Sequence, residues 1–182
     1  IDLALALLLL GAGTAAAVRL HKYTVAIDPE LSTLAVRACF DGAAPATLSA
    51  ESLDAPLALI DFRAEDSRKA IEPSGSISLK SVPANGCVVY RVDVSRPIRQ
   101  HDRTGDKIYR VGKDLLTSIG IWFWRPEELE ADEDIDMTFV LPEGLAVSAP
   151  LQPAVPGGPT TFRTAPHPHA WRAPFPVGPP HA

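Results

Sequence analysis

The sequence predicts an all-β protein, an antiparallel β-sandwich preceded by an N-terminal signal or anchor helix. Three observations predict it. Short runs of alternating polar and apolar residues recur along the chain, closed by turn residues such as Asp41-Gly42 and Asn85-Gly86. No stretch after Ala17 sustains a helical apolar period for three turns. An unbroken apolar run, residues 3–10, stands at the very start and gives way to small residues.

The 182 residues, 46% apolar and 21% charged, suit one domain with a real core rather than a disordered chain. A net charge of −5 gives no electrostatic reason to expect nucleic acid as a partner. The chain lacks an initiator Met and closes on Gly-Pro-Pro-His-Ala, so it reads as a fragment truncated at both ends.

Residues 1–17 read as a signal peptide. Ala15-Ala16-Ala17 fits the small-x-small pattern of a signal-peptidase site, with cleavage after Ala17 and Val18 as the new N-terminus. The alternative is a membrane anchor, but the apolar stretch 3–18 is shorter than the ~20 residues that span a bilayer. The expected location is therefore outside the cytoplasm, in the periplasm or cell envelope. The protein would be held to the membrane only if this segment stays uncleaved.

The β-sandwich domain is expected over residues 18–150. A first strand at 21–27 places Tyr23, Val25 and Ile27 on one face. A second at 33–40 does the same with Leu34, Val36, Ala38 and Phe40. Weak strand material around Leu48 precedes a stronger apolar run at 57–62, and alternation returns at 77–82. Residues 87–94 align Val88, Tyr90, Val92 and Val94. Residues 95–118 are irregular and rich in both signs of charge. Two apolar runs, 119–124 and 135–141, then flank a strongly acidic connection. Of the 18 prolines, 11 lie from Pro142 onward, so residues 151–182 read as a Pro-rich linker.

No catalytic motif stands out. His101-Asp102 are adjacent residues in a charged loop, and neighbours there rarely face each other. The run from Glu127 to Asp136 holds seven carboxylates in ten positions and imitates a calcium loop through Asp132, Asp134, Asp136 and Glu143. Met137 stands where that loop needs its glycine, so a solvated acidic loop is the better reading. His167 and His169 lack an acid or Cys close by and make a weak metal signal. Trp122 and Trp124 share one side of a strand and suit core or interdomain packing better than a sugar platform. Cys39 and Cys87 both fall on the polar faces of their strands. An even cysteine count in an exported chain favours a disulfide between neighbouring strands, with two buried thiols as the alternative.

Certain residues carry a family resemblance. Trp122-Phe123-Trp124-Arg125-Pro126, the strand 137–141, and Leu141-Pro142-Glu143-Gly144 followed by Val147-Ser148-Ala149-Pro150 resemble the N-terminal domain of bacterial glycyl-aminopeptidase-like zinc metallopeptidases. Thr161-Phe162-Arg163 and Pro174-Phe175-Pro176-Val177-Gly178 resemble the link into their catalytic domain. The resemblance implies a non-catalytic β-sandwich that packs on a thermolysin-like domain and helps shape its substrate cleft. It implies zinc and peptide hydrolysis in that other domain, with a peptide as substrate. This chain carries no HExxH, and none of His21, His101, His167, His169 and His181 has another His four residues away with a Glu between. No catalytic, cofactor or metal residue is therefore carried over, and the fragment itself is expected to be inactive and free of cofactor. The rival expectation is a stand-alone periplasmic or surface binding module.

Overall fold

The computed structural model describes residues 18–72, 75–96, 108–127, 129–149, 151–154, 160–164 and 174–180. The signal segment, His101-Asp102, His167 and His169 lie outside them. Among the described residues the strands are β1 (Arg19–Ile27), β2 (Thr33–Cys39), β3 (Thr47–Ser49), β4 (Leu59–Ala64), β5 (Ser76–Ser78), β6 (Cys87–Asp93), β7 (Ile108–Val111), β8 (Asp114–Ser118), β9 (Arg125–Pro126), β10 (Glu133–Val140), β11 (Ala146–Val147), β12 (Gln152–Pro153), β13 (Thr161–Thr164) and β14 (Pro174–Gly178). Two single helical turns, α1 (Ala55–Ala58) and α2 (Ile119–Trp122), interrupt them.

These strands form a seven-stranded sheet in the order β12-β13-β10-β1-β2-β6-β4, a four-stranded sheet β11-β14-β8-β7, and a three-stranded sheet β5-β3-β9. The large sheet obeys the alternation read from the sequence. Tyr23, Val25 and Ile27, then Leu34, Val36 and Ala38, then Val88, Tyr90 and Val92, all point inward and are buried. Ile135, Met137, Phe139 and Phe162 continue that face. The smaller sheets and the helical turns supply the opposing layer through Leu48, Ile77, Leu115, Trp122, Phe175 and Val177.

The pairing departs from a purely antiparallel sandwich at one place among the described residues. β1 runs parallel to β10, from Arg19 opposite Glu133 to Ala26 opposite Val140. Parallel neighbours need a long crossover, and here everything from β2 to β9 is that crossover. Local alternation carries no sign of a strand's direction, so the sequence could not show it.

Three local expectations are corrected. Residues 119–124 are not a strand: 119–122 close the turn α2, where Phe123 N–H donates to Ile119 C=O at 2.9 Å. The apolar run 57–62 divides between α1 and β4. The expected linker 151–182 supplies β12 and β13 to the large sheet and β14 to the four-stranded one. Proline removes a ladder donor, yet β14 accommodates it by side. Phe175 and Val177 face β8, opposite Thr117 and Leu115, with their N–H groups available. Pro176 faces the other way, where its C=O accepts from Ser148 N–H at 3.1 Å and pairing with β11 is only two residues long.

The outward face of the large sheet is finished with paired charges. Arg37 grips Glu65 through two bonds at 2.6 and 2.8 Å, Arg91 grips Asp61 at 2.9 and 2.5 Å, and Arg163 grips Asp136 at 2.8 and 3.2 Å. Such pairs are solvent-screened and contribute little stability each. They do keep a pleated face wet rather than sticky.

Gly178 ends β14 against the Asp114 side chain, and a Cβ there would collide with that carboxylate. Gly178→Ala should therefore lower unfolding stability by about 1–3 kcal/mol, the usual cost of overpacking. Urea denaturation of the two proteins checks this.

Candidate functional site

Cys39 and Cys87 stand directly opposite each other in β2 and β6 and form a disulfide, with α-carbons 4.1 Å apart. The position explains the fit. Phe40 N–H donates to Gly86 C=O at 3.1 Å, so the next pair along the ladder is a non-hydrogen-bonded one. Such pairs bring α-carbons to ~4.5 Å and side chains closest together. Two turns lock beyond the bridge. Asn85, at φ 57°, donates its N–H to Gly42 C=O at 2.7 Å, and Gly42, at φ 78°, donates back to Asn85 Oδ1 at 2.9 Å. Both turn dipeptides read from the sequence thus meet at one corner. The bridge closes a separation of 48 residues. Its reduction, or Cys39→Ala, should cost about 2–4 kcal/mol. Melting curves with and without reductant measure the loss.

The acidic run does not build a calcium loop. Asp134 and Asp136 lie within β10, in extended backbone, and the carboxylates around them are engaged by cations. Arg19 reaches Asp132 at 3.3 Å and Glu133 at 2.9 Å, while Asp136 holds Arg163. Asp132, Glu133 and Asp136 are thus the acidic partners in ion pairs that tie this run to β1 and β13. Among the described residues no group of three or more His, Cys, Asp or Glu is arranged to hold a metal ion.

His21 is a histidine to which the sequence alone assigns no role. It is fully buried on β1, its ring edge-on to Phe40 with centroids 5.6 Å apart. Asp41 N–H donates to Nδ1 at 3.1 Å, which leaves the proton on Nε2, 3.4 Å from Glu133 Oε1. With the ring neutral, that second contact is a polar approach rather than an ion pair. Burial pulls the imidazole below its usual range, against the opposing pull of Glu133. A ring with one nitrogen committed to backbone and no opening to solvent is structural. The neutral form is the one the fold stabilises. Stability should be full above the unfolded value of about 6.5, and fall as the pH drops through it toward the lower folded value. His21→Asn, which keeps an acceptor for Asp41 N–H, should flatten that fall. Unfolding midpoints measured across this pH range decide it.

The sequence leaves core or interdomain packing open for Trp122 and Trp124, on one side of a strand. The structure shows the first: both are fully buried, at 0% exposure. The helical turn removes the alternation that expectation relies on and sends the whole Trp122-Phe123-Trp124 run inward. Trp124 N–H donates to the Tyr90 hydroxyl at 3.3 Å, and Phe123 meets the Tyr23 ring edge-on at 5.0 Å. Burial raises the hydroxyls of both tyrosines well above their usual range. This cluster is enclosed and offers no surface to a ligand.

One surface groove of about 520 Å³ lies beside β4 and β5, lined by Ser67, Lys69, Ile71, Glu72, Ser78 and Lys80. It is open, and its lining holds no histidine, cysteine or aspartate.

The fold is similar to part of a solved aminopeptidase N family protein and of a solved M1 zinc metallopeptidase. An aminopeptidase N family protein from Idiomarina loihiensis superposes with a TM-score of 0.54 at 16% identity, over 87% of this chain and 29% of its own. A two-domain M1 zinc metallopeptidase, solved as a mutant bound to L-tryptophan, superposes with a TM-score of 0.50 at 10% identity, over 90% of this chain and 42% of its own. This chain therefore spans less than half the length of either. At such identities the likeness is one of fold, and it agrees with the resemblance to a peptidase β-sandwich domain drawn from the sequence. No family model and no curated protein sequence matches the chain.

Proposed function

We propose that this chain is the non-catalytic N-terminal domain of an exported, aminopeptidase-like zinc metallopeptidase, and that it packs on the catalytic domain and helps shape its substrate cleft. The observation that carries the reading is the fold likeness over nearly the whole chain to peptidases more than twice its length. The disulfide supports export, because such bonds persist in oxidising compartments. The residues present do not suit zinc. The described imidazole, His21, is enclosed and committed to Asp41 N–H, and no metal-holding group accompanies it among the described residues. Peptide hydrolysis would belong to the other domain, and no catalytic step is assigned to this one.

The test is the reading frame beyond Ala182 and the activity of its product. The expected frame continues into a domain with an HExxH motif. The whole polypeptide should then release N-terminal residues from peptides, while residues 18–182 alone should release none. Deleting this domain should lower kcat/KM at least about tenfold, roughly 1.4 kcal/mol of transition-state stabilisation. A frame that stops shortly after Ala182 would replace this function with that of a stand-alone binding module.

A further inference from the structure

The segment around α1 has its polarity reversed. Ser52 and Asp54 are turned inward, at 3% and 2% exposure, while Leu53 and Leu57 are turned outward at 76% and 67%. Ile60, just beyond the helix, is 49% exposed. The display is held in place rather than frayed. Ser52 N–H donates to Gly120 C=O at 3.0 Å, anchoring the segment to α2, and Leu57 N–H donates to Asp54 C=O at 3.0 Å. Ala55 and Ala58 form the buried underside. Leu53 lies in the turn that leads into α1 and Leu57 within α1, and both side chains are exposed. Isolated exposed leucines need no explanation. Two within one anchored stretch whose polar neighbours point into the protein do need one.

We infer that the exposed apolar stretch carrying Leu53, Leu57 and Ile60 is the contact surface for the catalytic domain of the same polypeptide, an inference that rests on the proposed function above. The exposed surface differs in chemistry from place to place. The outward face of the large sheet carries Arg37–Glu65, Arg91–Asp61 and Arg163–Asp136, each pair complete in itself. The stretch 52–60 carries a single charge, Asp54, and that one is buried. Both solved neighbours hold more than half of their length outside the matched region, a body that must rest on some face of this fold. A tethered domain needs only a small apolar contact, because the linker supplies a high effective concentration. A stable association of separate copies buries about 1,200–2,000 Å², more than a few aliphatic side chains provide. The partner surface is accordingly apolar and poor in charge.

Thiol labelling tests the assignment. Leu53→Cys and Leu57→Cys would be introduced singly, beside Lys22→Cys on the outward face of the large sheet as an exposed reference. Each would be made in the 182-residue chain and in the whole polypeptide. Maleimide labelling at 53 and 57 should match the Lys22→Cys rate in the shorter chain and be at least about tenfold slower in the whole polypeptide, a protection factor read directly from the rates. Equal rates in the whole polypeptide overturn the inference while leaving the function standing. Protection already present in the shorter chain overturns it by assigning the cover to this chain's own residues. Protection that grows with concentration alongside a dimer in light scattering overturns it in favour of a second copy. A reading frame without a further domain overturns the function itself, and this inference with it.

Discussion

The sandwich depends on one ring. Phe139 projects from β10 into the space between the layers, and aromatic rings from three other places close on it. Phe175 of β14 lies 4.7 Å away, Phe162 of β13 5.8 Å and Trp122 of α2 6.3 Å. Phe139 and Phe162 belong to neighbouring strands of the large sheet, while Phe175 belongs to the four-stranded one. Such ring contacts add to the area they bury because edge and face carry opposite partial charge. The stretch beyond residue 150 thus does more than trail away from the domain. It sends β13 to one layer and β14 to the other, and both strands deliver a phenylalanine to the same ring.

A second constraint fixes the other end of the large sheet. The Cys39–Cys87 bridge, the exchange between Gly42 and Asn85, and the Phe40–Gly86 hydrogen bond follow one another along β2 and β6. A slip of one residue would turn every side chain of β2 to the wrong face. It would also break the covalent bond and shift the residues that supply positive φ to the turns. Register is therefore specified three times over at the point where β2 hands the chain on toward β3. β1, locked between β2 and the parallel β10, inherits it.

Alternation made β1, β2, β6 and β10 legible, because each has one face in the core and one in water. That two-sidedness is what a period of two records. It also placed both cysteines on the same face, which the cross-strand bridge confirms. The missing information was of three physical kinds. Direction was one: β1 and β10 would alternate identically in either orientation. Context was another: β14 tolerates proline because one of its sides is barely paired, a property of its neighbours rather than of its own residues. The third was length. Residues 119–122 form a single turn, too short for a helical period to emerge, and a run of apolar residues buried all round reads the same as strand or helix. His21 was invisible for a related reason. A lone histidine in an apolar strand announces nothing until the Asp41 N–H and Glu133 are seen beside it.

Trp122 and Trp124 show how side-chain size misleads about surface. Large aromatics draw attention as a binding or docking platform because they would be conspicuous if exposed. The fold instead places them between its layers, where the area they bury offsets conformational entropy. Among what it leaves outside, the two most exposed large apolar residues are leucines on and beside a four-residue helix. The arrangement follows from how α1 is anchored. Ser52 bonds through its backbone to Gly120, close to Trp122 in α2, so the turn that buries the tryptophan is also the turn that sets the leucines facing out. Core and surface are settled there by the same short contact, and neither could be read from composition.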